Sequence, residues 1–429
     1  MKVKRINSYK EGVSAVVLAA GKGRRMKSDL PKVLHQIKGK PIIYYVLKEL
    51  TAVKKVKQII VVLGHQSSQV REAVLSDFKG VEFVLQTELS GTASAVKSAQ
   101  KRICYNKVIV ACGDAPLVKS KTFSAMVSGF KSRKSKARVL TACIDSKNEL
   151  GVIIRDDKNA VCRISERAVL AGKTVNNEVN SGVYFFDTAT LVDCLSRISV
   201  NSVTKEYFLT DVIEIFYNHG ASIESLKIKD YRQILGINDR IDLSAGEKIM
   251  QLRINQSFME KGVTIIDPQT TFIEEGAKIG VNSIIYPFTF IEKGVIIGRN
   301  CSLGPFIHVR VGTKIKDFAQ LGNFLEISRS IIGNGVKAKH FSYLGDAEIE
   351  ENVNIGAGTV IANFDGKNKN KTVIEKNAFI GSNTVLVAPL KVCQGAMTGA
   401  GSVVTKDVNA GEVVLGVPAR VYKRVKTSG

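Results

Sequence analysis

Two hydrophobic rhythms divide the chain. In its first part short apolar runs alternate with stretches of helical character: SAVVLAA (residues 14–20), QIIVVLG (58–64), KVIVACGD (107–114), RVLTACI (138–144) and SGVYFFD (181–187) read as buried strands. Helices are expected over 41–50 and around 70–75, between the first strands. Runs this apolar and this short suit strands covered on both faces. Their alternation with helices is that of an open, mainly parallel sheet, whose ligands sit beyond the carboxyl ends of its strands.

From Ile273 the rhythm changes. Stepping by six gives Ile279, Ile285, Ile291, Ile297, Leu303, Val309, Ile315, Leu321 and Ile327, an aliphatic residue each time. Neither a helix nor a flat sheet has this period. It is the period of a parallel β-helix, in which each short strand turns one side chain inward and stacked coils share a core. The register then slips, resuming at Ile349, Ile355 and Ile361 and again at Ile380 and Leu386, with NFDGKNKNK (363–371) as an interrupting loop. Glycines at 280, 298, 304 and 322 are expected at tight corners. Between the halves, residues 242–260 lack proline and space Leu243, Ile249, Met250, Leu252 and Ile254 partly as a helix. The expected fold is α/β: an open-sheet domain (1–237), a linker helix (238–261) and a β-helix with a basic tail (262–429).

Composition narrows the partners. At 429 residues more than one core can be buried. The net charge of +23 raises nucleic acid and anionic membranes as candidates. The charge is spread along the chain without an aromatic-interleaved recognition motif, so small anionic substrates are expected in place of nucleic acid. The seven cysteines form no CxxC pair, which argues against a zinc set or disulfide framework and for a reducing cytoplasm. No stretch reaches the roughly 20 apolar residues of a membrane span.

The chemistry begins directly after the first strand, in LAAGKGRRMKSDLPK (18–32). Gly21 and Gly23 let the backbone approach a ligand closely, and Lys22, Arg24, Arg25 and Lys32 concentrate positive charge beside them. The string fits neither the Walker loop nor the dinucleotide fingerprint. A basic turn that only solvates its charges is the plainer alternative. The whole string, however, resembles the signature of sugar-1-phosphate nucleotidyltransferases. That resemblance places Leu18, Ala19, Ala20 and Gly21 against a nucleotide and gives the triphosphate to Arg25 and Lys32. It assigns Gln86, Gly91 and Thr92, in QTELSGTASA, to the uracil; a glutamine amide offers both a donor and an acceptor to a base edge. Gly113 and Asp114, in GDAPL, would face the substrate, with Asp114 as metal ligand and Asn238, in ILGIND, completing the site. Gly151, Glu166 and Asn180 would take the sugar. Cys112 stands where this family usually has tyrosine, and KEYFLTD (205–211) resembles the start of a family helix.

In the second half, YLGDAEIEENVNIGAGTVIANFDG (343–366) is far more specific than the repeat around it. Taken with the first half, the chain resembles the bifunctional family of N-acetylglucosamine-1-phosphate uridyltransferase/glucosamine-1-phosphate acetyltransferases. The resemblance makes His340 the catalytic base, since an imidazole titrates near neutrality, with Glu326 to orient it. Arg310, Tyr343 and Asn354 would bind glucosamine 1-phosphate; Ala357, Asn363, Phe364, Ser382 and Ala400 would lie beside acetyl-CoA. Ser328 replaces a sugar-phosphate lysine, with Arg329 beside it as a substitute charge. Phe364 replaces a tyrosine, and Gly416 a CoA-binding arginine. The family implies UTP and acetyl-CoA as co-substrates, Mg²⁺ as cofactor, a homotrimer, and synthesis of UDP-N-acetylglucosamine. The alternative is uridylyl transfer alone, with the β-helix as a trimerisation module.

Overall fold

The computed structural model describes residues 9–145, 148–165, 177–202 and 204–424. It forms two compact units, residues 1–246 and 247–429.

In the first unit, β1 (Lys10–Ala19), β2 (Val56–Leu63), β3 (Glu82–Leu85), β4 (Tyr105–Cys112), β5 (Ser135–Cys143), β6 (Val152–Arg155), β7 (Val161–Ser165), β8 (Glu178–Asp187) and β9 (Ser222–Ile228) form one sheet. Its order is β9-β5-β8-β4-β1-β2-β3, and the β6–β7 hairpin branches from β8. β1 pairs in parallel with both β2 and β4. Val13, Ala15, Val17 and Ala19 enter one core while Val16 and Ala20 enter another. Burial on both faces is why this strand is a continuous apolar run. β8 departs from the expected parallel rhythm: it runs antiparallel to β4 and β5. It follows a hairpin, whereas a parallel neighbour needs a crossover connection. Two helices lie where expected, at Ile42–Thr51 and Ser67–Asp77. The KEYFLTD helix begins only at Asp211, because residues 207–209 bond to 90–93 instead.

The connecting helix, α1 (Arg240–Met259), buries amides more than an apolar stripe. Gln251 Nε2 donates to the carbonyls of Pro268, Gln269 and Thr271 at 2.9–3.0 Å, and Asn255 Nδ2 to Pro268 and Thr271 at 2.8 and 2.9 Å. The end of a solenoid must be covered. Here the C-terminal half of the helix covers the first coil by satisfying its turn carbonyls.

The second unit is a left-handed parallel β-helix with three faces. All ten positions of the six-residue series point inward, and only Ile279 is not fully buried. The slip after Ile327 is smaller than the sequence suggests. Ile332, Ala338 and Leu344 continue the inward column, paired with Ile315, Leu321 and Ile327. The corners before Ile332 and Ile349 are one residue short, so the period is interrupted while the coils stay in register. Ala338 hides the middle coil because it is small.

The corner glycines also need correction. Only Gly304 has positive φ (+96°). Gly280, Gly298 and Gly322 are required because the next coil lies against them: a Cβ on Gly280 would sit 2.6 Å from the Gly298 carbonyl carbon. The left-handed corners are taken by Asn282 and Asn300 and, less usually, by Phe288, Phe306 and Phe324, at φ of 57, 55 and 54°. A Cβ on Gly322 would lie 2.5 Å from the Lys339 carbonyl carbon. Gly322→Ala should therefore cost about 1–3 kcal/mol by overpacking, seen as a lower urea midpoint; an unchanged midpoint would show that the coils separate freely.

Candidate active sites

In the first unit a cavity of about 510 Å³ opens at the carboxyl ends of β1 and β4. Leu18, Ala19, Ala20, Gly21, Lys32, Gln86, Gly91, Thr92 and Asp114 line it, nine residues singled out from sequence. Lys22 and Arg24, two of the loop's four expected positive charges, also line it, as does Glu206, to which the sequence assigned no role. Arg25 lies off this wall, in an exposed ion pair with Glu149 at 3.0 Å. Gly113 lies behind the wall, its N–H donating to the Leu18 carbonyl at 2.8 Å.

Gly91 owes its missing side chain to the fold. Its φ is +107°, and the space for a Cβ is filled by the Tyr207 backbone, whose nitrogen is 2.7 Å away. Buried Gln86 donates from Nε2 to the Gly91 carbonyl at 3.3 Å, which fixes the orientation of its amide.

The centre of this site is a three-residue contact. Lys32 Nζ donates to Asp114 Oδ2 in a short ion pair and to Asn238 Oδ1 at 3.4 Å. Lys32 and Asp114 side chains are 16% and 22% exposed. Asn238 is brought here by backbone: the Asp114 carbonyl accepts from Ile237 N at 2.8 Å, and the Asn238 N–H donates to Asp242 Oδ2 at 2.9 Å. Two hard oxygens thus converge on one cationic nitrogen, as the donor set of a divalent cation completed by substrate oxygens requires. Gly23, at φ +60°, allows the basic loop to lie on Lys32, since a Cβ there would be 2.6 Å from Lys32 Cβ.

Cys112 shares the cavity. Burial pushes its thiol up to about 12, and the Asp114 carboxylate adds to this. At pH 8 it stays protonated and should resist iodoacetamide while the exposed Cys104 and Cys143 react; fast labelling of Cys112 in a peptide map would contradict this environment.

Gly151 and Asn180, expected to take the sugar, stand apart from these walls. The Asn180 N–H donates to the Gly151 carbonyl at 2.8 Å, and Asn180 Nδ2 to the Tyr184 hydroxyl at 2.7 Å. Neither Gly151 nor Asn180 lines the cavity. Glu166 lies outside the described residues.

On the β-helix a groove of about 750 Å³ is lined by Phe288, Phe306, Phe324, Phe341, Glu326 and Tyr343 among others. The first three rings stack at centroid distances of 4.7 and 5.1 Å and remain exposed. Arg310 pairs with Glu326 at 3.1 Å, and among the described residues no hydrogen bond joins Glu326 to His340. The register explains this: Glu326 stacks on Tyr343, whereas His340 stacks on Asn323. His340 is exposed, lies next to the groove residue Phe341, and makes no side-chain hydrogen bond among the described residues.

Beyond Tyr343 lies a polar cluster. Asn363 Nδ2 donates to Asp346 and, at 3.5 Å, to the Tyr343 hydroxyl. Arg329 grips both Asp346 oxygens at 2.6 and 2.7 Å, holding that carboxyl below its usual range. Arg329 therefore does not stand free to replace the missing lysine at Ser328. Lys369, assigned no role from sequence, also acts on Asp346 and comes from the loop that interrupts the repeat. The remaining predicted residues lie on successive coils: the Ala357 carbonyl accepts from Asn383 N at 2.6 Å, and the Ser382 carbonyl from Gly401 N, next to Ala400, at 2.8 Å. Asn354 pairs with Lys337 in the ladder, and Phe364 is exposed. Gly416 has φ +99°, a conformation that arginine rarely adopts.

These features define a nucleotidyltransferase joined to a hexapeptide-repeat transferase domain. The Nucleotidyl transferase family matches residues 14–232, and the Hexapeptide repeat of succinyl-transferase matches 271–304 and 371–406. The chain belongs to the bifunctional GlmU family. It is 40% identical over 446 residues to the Bifunctional protein GlmU of Lactococcus lactis subsp. cremoris (strain MG1363), covering 95% of this chain and 96% of that protein. It is 41% identical over 439 residues to that of Heliobacterium modesticaldum, covering 94% and 95%. With that of Listeria innocua serovar 6a it shares 36% over 430 residues, covering 92% and 93%.

Proposed function

We propose that the chain makes UDP-N-acetylglucosamine in two steps, one in each unit. The β-helix transfers an acetyl group from acetyl-CoA to glucosamine 1-phosphate. The sheet domain then joins N-acetylglucosamine 1-phosphate to the uridylyl group of UTP, releasing pyrophosphate. The observation that carries the second step is the convergence of Asp114 and Asn238 oxygens on one cation beside a cavity walled by Gln86 and the basic loop.

In that cavity the sugar phosphate oxygen bonds to the α-phosphorus as the bond to pyrophosphate breaks. Lys22, Arg24 and Lys32 line this cavity, and their positive charge would offset the charge growing on the leaving group. Arg25 joins them in our assignment by leaving its exposed pair with Glu149. Asp114 and Asn238 would hold a divalent metal, Mg²⁺ in our reading, whose charge neutralises phosphate oxygens. Gln86 and Thr92 would read the base, and Gly151, Glu166 and Asn180 the sugar.

On the β-helix His340 takes the proton from the sugar amine as its nitrogen bonds to the thioester carbon and CoA departs. Arg310, Tyr343 and Asn354 would hold the sugar phosphate; Ala357, Asn363, Phe364, Ser382 and Ala400 would lie along acetyl-CoA. The exposed phenylalanine ladder supports a homotrimer, since an apolar patch of this kind favours a partner; static light scattering at micromolar concentration should give three times the chain mass. The seven free cysteines favour a cytoplasmic location. Among the described residues no helix is long and apolar enough to cross a membrane.

A second reading, uridylyl transfer alone, is favoured by the commitment of Arg329 to Asp346 and the left-handed turn at Gly416. Pyrophosphate release and CoA release, each measured with its own substrates at saturation, separate the two. Both are expected; pyrophosphate release without CoA release at any concentration would establish the second reading.

A further inference from the structure

The contact among Lys32, Asp114 and Asn238 does more than mark a metal position. We infer that the Lys32 ammonium and the divalent metal compete for the same two oxygens, so that Lys32 is a built-in counterion which must leave Asp114 before the metal can enter. The inference rests on the assignment of Asp114 and Asn238 as metal ligands.

Three observations carry it. Lys32 Nζ is in contact with Asp114 Oδ2 and 3.4 Å from Asn238 Oδ1, so one cation already bridges both donors. Both charged side chains are largely shielded, which strengthens the pair relative to a surface salt bridge. Arg24 lines the same cavity and makes no such contact with Asp114, so the effect belongs to position and not merely to charge. The base of Lys32 is pinned under Gly23. Only its flexible stem has to swing for the ammonium to trade a carboxylate oxygen for a phosphate oxygen. A triphosphate that draws Lys32 away thereby opens the metal position, and by linkage the metal favours the triphosphate.

The test measures Mn²⁺ alone binding to the full chain, by electron paramagnetic resonance of free Mn²⁺, with no nucleotide present. Lys32→Gln should bind Mn²⁺ about tenfold more tightly than the parent, as expected when a unit charge is lifted off a contacting carboxylate. Arg24→Gln should change it by less than about threefold, and Asp114→Asn should weaken it strongly. If Lys32→Gln binds no better while Asp114→Asn binds worse, the competition is overturned and the metal assignment stands. An equal gain in Arg24→Gln and Lys32→Gln reduces the effect to general charge and also overturns it. No effect of Asp114→Asn removes the metal assignment, and the inference with it. A measurement that needs no variant reads the parent chain: Mn²⁺ should increase acetylation of Lys32 by an amine-reactive reagent severalfold in a peptide map, and unchanged or reduced labelling counts against release of the lysine.

Discussion

Asp114→Ala is expected to lower pyrophosphate release by about 10³-fold, corresponding to roughly 4 kcal/mol of lost transition-state stabilisation, while CoA release stays within about twofold of the parent. The carboxylate is the only charged member of the converging donor pair, and its loss leaves Asn238 as a weak neutral ligand. The local fold should persist, because it is the Asp114 backbone carbonyl that anchors Ile237 and so places Asn238. The β-helix site belongs to the other compact unit and contains no residue near Asp114 in sequence. The two activities are measured on the same preparation. Equal loss of both would refute separate sites, and full pyrophosphate release would remove Asp114 from the chemistry.

The mirror experiment is His340→Ala, which should lower CoA release by about 10²- to 10⁴-fold, the usual worth of a positioned base, and leave pyrophosphate release intact. Its stability should change by no more than about 0.5 kcal/mol. The ring is exposed and makes no side-chain hydrogen bond among the described residues, so little packing is lost. Glu326→Ala is a useful contrast: it removes the nearer of the two carboxylates paired with Arg310, leaving Glu292 at 3.8 Å, and its effect should appear chiefly as a higher KM for sugar phosphate. Undiminished CoA release from His340→Ala would show that the amine loses its proton elsewhere.

The sequence by itself determined the two architectures, because each imposes a period on burial. A strand covered on both faces is apolar along its buried length, and β1 shows this from Ala15 to Ala19. A β-helix coil must turn an aliphatic residue inward at each six-residue strand, as Ile273 to Ile327 show. The crowding of positive charge and glycine into residues 18–32 was equally local, since it lies within one loop.

Only the tertiary structure decided which of these groups meet. Asn238 reaches Asp114 through a backbone hydrogen bond from Ile237, and no local pattern records a contact across so many residues. Gly91 looks like a platform for a base, but its φ and the Tyr207 backbone account for the glycine. Arg329 looks like a spare charge beside Ser328 until the next coil brings Asp346 under it. Glu326 looks close to His340 along the repeat, yet stacking places it on Tyr343 and against Arg310. In each case side-chain chemistry is a property of the residue, whereas its partner is set by how separate coils or strands are stacked. Periodicity reports which side of an element faces inward, and stacking alone reports what lies across the gap.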